Sequence, residues 1–250
     1  MSIDPVAGPR WLRWGGVRAG AWRLSLAALI SAAMFGVLCL LVVVHSEPLT
    51  ELDAAGHSRM RELFADNPGW LATMAALTHL GDTVTVVAVD LIVIAVLVAR
   101  RRTAGAAFVA VAALLAWGTS RLVREVVARP RPGDRLWHVD GFAFPSGHAT
   151  NSATTAAVIV AVCWPLLSRL GRICVVIGAI AYAATVAVTR VAGGVHWPSD
   201  VVGGVLVALS CVMLAGALGR KIGGAGVPTA DGPPAARLAK TERSTRMREG

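Results

Sequence analysis

Residues 24–44, LSLAALISAAMFGVLCLLVVV, run without one charged position. A bilayer core about 30 Å thick needs roughly 20 such residues of helix, so this stretch predicts a membrane span. Similar apolar runs recur at about 79–99, 104–126, 148–167, 173–190 and 200–219. The pattern carries no heptad and no internal repeat. It predicts an all-α, polytopic membrane helix bundle of about six transmembrane helices, forming one membrane domain over residues 24–219. Residues 1–23 precede it and residues 220–250 follow. The first run exceeds the 7–15 residues of a signal-peptide core, and no A-x-A-type site follows before HSEPLTELD, so it is read as a retained anchor. The longest connection, 45–78, contains LTELDAAGHSRMRELF, whose mixed character suits a helix on the membrane surface better than a plain loop.

Composition agrees. The chain of 250 residues is 55% hydrophobic and 16% charged, and its mean hydropathy of +0.63 excludes an ordinary soluble domain. Of the 24 Lys and Arg, 16 fall on the side of the two termini in a six-span chain and 8 on the other. The positive-inside rule then places both termini in the cytoplasm. The net charge of +9 becomes a topology signal. Its scatter over membrane loops excludes nucleic acid as a partner. The tail from Arg220, rich in Gly, Pro, Ala and charge, is expected to be disordered and available to anionic membrane lipids. Cys39, Cys163, Cys174 and Cys211 lie inside apolar runs without metal-ligand spacing and read as core residues.

Three polar clusters fall on the extracytoplasmic side of this topology: REVVARPRP (124–132), PSGH (145–148) and TRVAGGVHWPSD (189–200). Together they hold several arginines, two histidines and one carboxylate. Arginine forks match phosphate oxygens, and histidine can attack phosphorus or move a proton. Ser146 or Gly147 can open a helix whose free N–H groups face an anion. Pro198 suits a first helical turn. His196 and Asp200, four apart, can pair so that the carboxylate fixes the ring, as a nucleophile requires. His148 is then available to protonate a leaving alkoxide.

These residues resemble the type 2 phosphatidic acid phosphatase superfamily, with motifs Lys-x6-Arg-Pro, Pro-Ser-Gly-His and Ser-Arg-x5-His-x3-Asp. Here they stand as Arg124-x6-Arg131-Pro132, Pro145-Ser146-Gly147-His148 and Thr189-Arg190-x5-His196-x3-Asp200. The resemblance covers roughly residues 70–220, with arginine in place of the family's first lysine and threonine in place of serine. It implies a metal-independent lipid phosphate phosphatase without a cofactor. His196 would be the nucleophile, Asp200 its partner and His148 the acid. Arg124, Arg131, Ser146, Gly147 and Arg190 would hold the phosphoryl group.

Other polar residues read more plainly. His45, His57, His79 and His138 are taken as interfacial, Arg121, Arg129 and Arg135 as headgroup anchors or loop charges, and Asp134 and Asp140 as isolated loop carboxylates. Asp90, an acid inside a span, suits a site or a structural pairing equally. Trp197 can contact substrate or belong to an aromatic belt. The competing class is a transporter or channel with polar residues lining a pathway. Against it, the charges gather at one face and no two halves resemble each other.

Overall fold

Proline, charge and local capping mark several of the helix ends. The computed structural model describes residues 17–64 and 68–225, and the regular elements within them are helical. They are α1 (Val17–Val43), α2 (Glu47–Phe64), α3 (Pro68–Thr78), α4 (Thr83–Ala99), α5 (Thr103–Val127), α6 (Gly147–Cys163), α7 (Arg169–Ala192) and α8 (Pro198–Ala225). Short 3-10 turns stand at His79–Gly81 and Trp164–Leu166. α5 ends at Ala128 in the left-handed region (φ 48°), and the following Arg-Pro-Arg-Pro cannot continue a helix. Ser168 caps α7 by accepting from Gly171 N at 3.3 Å, and Pro198 opens α8, where its missing N–H costs nothing.

Among the described residues, five helices are long and apolar enough to span a bilayer, and α3 with α4 forms a sixth candidate bent by 44°. The expected second span is thus a broken one. Asp82 takes an extended conformation between the two pieces (φ −61°, ψ 144°). With 17 residues, α4 reaches only about 25 Å at 1.5 Å per residue, which leaves the turn at 79–82 at the end of a short span.

α8 is the central helix and packs on α1, α5 and α6. Gly20 of α1 lies against Arg220 of α8, so the two run antiparallel. Where α8 crosses α6, a Cβ on Gly204 would fall 2.7 Å from the Ser146 carbonyl oxygen. A small residue here lets the two backbones touch, as in membrane helix pairs generally. Val109, Ala112, Val158 and Val212 fill the space between α5, α6 and α8. Leu29, Val84, Leu114, Leu170 and Ile180 face outward and are exposed, the surface a bilayer wets.

α2 does form in the long connection, but its buried residues are Asp53 and His57, while Leu52 and Leu63 stay exposed. The polar face is the one that docks. The expected tail begins within α8, which continues through Ala225. The expectations for residues 1–16 and 226–250, disorder and lipid contact included, lie outside the described residues.

Candidate active site

The C-terminal ends of α5 and α7 and the N-terminal ends of α6 and α8 meet at one end of the bundle. Ser146 is the N-cap residue of α6, fully buried. Its N–H donates to the Asp200 carbonyl at 2.9 Å, tying the start of α6 to the start of α8. Its Oγ is buried with no hydrogen-bond partner. Gly147 follows as the first helical residue. A Cβ there would fall 2.6 Å from Arg124 Nη2, so a larger residue would push the guanidinium away from the helix N-terminus. Two kinds of anion-seeking donor, arginine N–H and helix-end N–H, are thereby stacked.

The arginines leave donors over. Arg124 Nη2 donates to Ser120 Oγ at 3.1 Å, and Arg190 Nη1 to Thr78 Oγ1 at 2.7 Å. The Nε of each is buried without a partner. Buried unsatisfied donors are rare and call for a functional explanation. Arg131 is held from the loop side by the carbonyls of Gly141 and Val195 at 2.9 and 2.7 Å.

Arg131 Nη1 also lies 3.0 Å from His196 Nε2. A guanidinium only donates, so Nε2 must be the acceptor and the ring proton sits on Nδ1. Nδ1 faces Asp200 Oδ2 at 3.4 Å, the pairing that the four-residue spacing predicts. Burial, and then repulsion from Arg131 and Arg190, brings His196 down to about 4 against the opposing pull of Asp200. The ring is therefore neutral at neutral pH, with its lone pair on Nε2. Arg131 is lowered to about 10 by burial and by Arg124 and stays a cation.

All eight residues singled out in the sequence come together here: Arg124, Arg131, Ser146, Gly147, His148, Arg190, His196 and Asp200. Others join them unannounced. Arg129, read above as an anchor or loop charge, is a central strut. Its Nη1 donates to Asp200 Oδ1 and its Nη2 to Asp53 Oδ2, both at 2.7 Å. Asp53 in turn accepts from the Ser199 N–H at 2.8 Å, and Trp197 N–H donates to Asp200 Oδ2 at 2.8 Å. The nucleophile candidate's carboxylate is thus clamped from α2. His57 is also more than interfacial. It is buried on α2, its ring 5.3 Å from Trp197, and its Nε2 is 2.8 Å from Asp134 Oδ1.

Asp134 is accordingly not isolated. Burial would raise its pKa, but His57 and Arg61 outweigh that and lower it. Asp140 lies 3.1 Å from His138 Nε2, both exposed. His148 Nε2 lies 2.8 Å from Asp82 Oδ1. Asp90 accepts from Thr155 Oγ1 at 3.0 Å and borders a cavity of about 360 Å³ with Thr83, Trp117, Asn151 and Thr154. Among the described residues, no group of three or more His, Cys, Asp and Glu is disposed to hold a metal ion.

The sequence holds one trace of the face by which α2 docks, though not of the clamp itself. Asp53 and His57 are four apart and share one face of α2.

Known proteins resemble the chain in both sequence and fold. The PAP2 superfamily profile matches residues 105–221. Phosphatidylglycerophosphatase B of Bacillus subtilis is 32% identical over 162 residues, 61% of this chain and 77% of that protein. Decaprenylphosphoryl-5-phosphoribose phosphatase of Mycobacterium tuberculosis is 31% identical over 155 residues, 58% of this chain and 78% of that protein. The crystal structure of a transmembrane PAP2-type phosphatidylglycerolphosphate phosphatase from Bacillus subtilis superposes with a TM-score of 0.66 at 27% identity, covering 82% of this chain and 98% of that one. With its apolar helices and these phosphatase relatives, the chain belongs to the PAP2 superfamily of membrane lipid phosphatases.

Proposed function

We propose that the chain hydrolyses a phosphomonoester or diphosphate of a membrane lipid through a phosphohistidine on His196, at the extracytoplasmic face. The observation that carries this reading is the His196 ring. It is held by Asp200, neutral, with its Nε2 lone pair turned to Arg131. When a phosphoryl group arrives, the Arg131 N–H turns to a phosphoryl oxygen and Nε2 meets phosphorus.

The N–P bond forms as the P–O bond to the lipid breaks, and His148 gives a proton to the departing oxygen. Water then attacks phosphorus, His148 takes its proton, and the N–P bond breaks to release phosphate. Arg124, Arg131 and Arg190, the Ser146 hydroxyl and the Gly147 N–H stabilise the charge that builds on the phosphoryl oxygens. Arginine at 124 offers a fork where the family's lysine offers a point charge. The unpartnered Nε atoms and Ser146 Oγ are the donors that this leaves for phosphate. The scheme needs no metal or cofactor.

The named relatives act on lipid-linked phosphates, which supports phosphatidylglycerol phosphate, phosphatidic acid or a polyprenyl diphosphate as substrate. The excess of Lys and Arg on the side of the termini supports the extracytoplasmic face. Purified protein in detergent, given these lipids with excess chelator, should release phosphate. No release from any of them, or release only after added Mg²⁺, rejects the scheme. A cysteine placed at position 133 should react with an impermeant reagent from outside. Reaction only from the cytoplasmic side reverses the orientation.

A further inference from the structure

The turn His79-Leu80-Gly81-Asp82 is built around His148. Asp82 occupies the N-cap position of α4, yet its side chain makes no capping bond, although aspartate is among the preferred caps. Instead Oδ1 lies 2.8 Å from His148 Nε2 and Oδ2 lies 2.7 Å from His79 Nδ1. A helix N-terminus has forgone its cap, and the carboxylate serves two imidazoles.

The turn is anchored to make that contact. Tyr182 Oη on α7 donates to the Leu80 carbonyl at 2.7 Å. A Cβ on Gly81 would fall 2.5 Å from Val186 Cγ1 and 3.3 Å from His148 Cδ2, so the backbone presses directly on the ring. With the Cδ2 edge against Gly81 and Nε2 on Asp82, the Nδ1 edge points away from the turn.

We propose that Asp82 is a positioning residue for the leaving-group step. Its carboxylate holds the His148 ring through Nε2–H and stabilises the imidazolium that donates from Nδ1. This rests on the phosphohistidine reading above. His148 must carry its positive charge near Arg124, Arg131 and Arg190. Among the described residues, Asp82 is the carboxylate within hydrogen-bond reach of its ring, and His79 shares that carboxylate from the solvent side. A carboxylate facing one nitrogen fixes which nitrogen handles the transferred proton.

The proton balance follows. Nδ1–H goes to the lipid oxygen as the P–O bond breaks, and the neutral ring keeps Nε2–H on Asp82. In the second half Nδ1 takes a proton from the attacking water, restoring the imidazolium for release of phosphate.

The test compares single-turnover phosphorylation rates on two esters, dioctanoyl phosphatidic acid with a poor leaving group and p-nitrophenyl phosphate with a good one. The proteins are the full chain, Asp82→Asn, Asp82→Glu and His148→Ala. Asparagine keeps the shape and a capping oxygen but not the charge. Asp82→Asn is expected to lose about 10–10²-fold on the lipid, part of the 10²–10⁴-fold that general acid catalysis supplies. On the aryl ester it should lose less than about threefold, and Asp82→Glu should recover most of the lipid rate. A retained phosphorylation rate on the aryl ester shows that the variant is folded. Equal losses of Asp82→Asn on both esters, or none on the lipid, overturn the role of Asp82 while His148→Ala still discriminates. If His148→Ala itself loses equally on the two esters, the acid role of His148 fails, and the proposal with it.

Discussion

Two histidines, each with a carboxylate, share one end of the bundle and live in opposite surroundings. His196 and Asp200 are buried, their side chains 3% and 0% exposed. Asp200 is held by the Trp197 N–H and by Arg129, which is itself anchored on Asp53 of α2. His148, in the first turn of α6, and Asp82, on the turn between two halves of a broken span, are more open, at 25% and 38%. The contrast fits two tasks. A nucleophile must hold its lone pair on line with phosphorus, so it gains from a rigid, dry mount. A residue that protonates a departing lipid and then activates water needs access to both.

The largest expected effect tests the buried member. His196→Ala should abolish turnover on lipid and aryl esters alike, a loss on the order of 10⁶-fold, the scale for removing a nucleophile. Phosphate-release assays read it directly. A variant that kept turnover on the aryl ester alone would place the nucleophile elsewhere.

The next effect concerns the mount. Arg129 lies between Asp53 and Asp200 at 2.7 Å from each, and its removal leaves two carboxylates buried without their cation. Breaking such a pair costs about 3–5 kcal/mol. Arg129→Ala should therefore lower the unfolding midpoint in detergent by several degrees and cut turnover on both esters together. Lysine cannot span two carboxylates with a fork and should restore little. An unchanged midpoint would mean that α2 and the clamp do not support the buried pair.

The smallest effect is one of pH. His196 is lowered from the ordinary 6.5 to about 4, so its lone pair is available well below neutrality. Phosphorylation by p-nitrophenyl phosphate, corrected for the ester's own ionisation, should stay level from about pH 7 to 5 and halve near pH 4. A ring titrating at its ordinary value would lose about 30-fold by pH 5. That steeper fall would show that His196 is not buried among cations as described.

The parts of this site legible in the sequence are those whose partners are close in the chain or whose types match at the ends of apolar runs. His196 and Asp200 are four apart. Arg124, Ser146, Gly147, His148 and Arg190 sit where spans begin or end, so one topology gathers them. The clamp was not legible, because Arg129 meets Asp53 across 76 residues and Ser199 meets Asp53 across 146. Asp82 meets His148 across 66, and an apolar average over residues 79–99 hides the polar turn that breaks the span. α2 misleads in another way. Its buried face carries Asp53 and His57, whereas amphipathic reasoning sends leucines inward.

The direct measurement is to trap the phosphoenzyme. The full chain, mixed with a lipid phosphate and quenched in alkali, where phosphohistidine survives and acyl phosphate does not, can be digested and its modified peptide sequenced by mass spectrometry. The account predicts phosphate on His196, none on His148, and a stronger signal in His148→Ala supplied with p-nitrophenyl phosphate, where water attack has lost its base. Phosphate on His148, or an alkali-labile adduct with His196 unmodified, would contradict it.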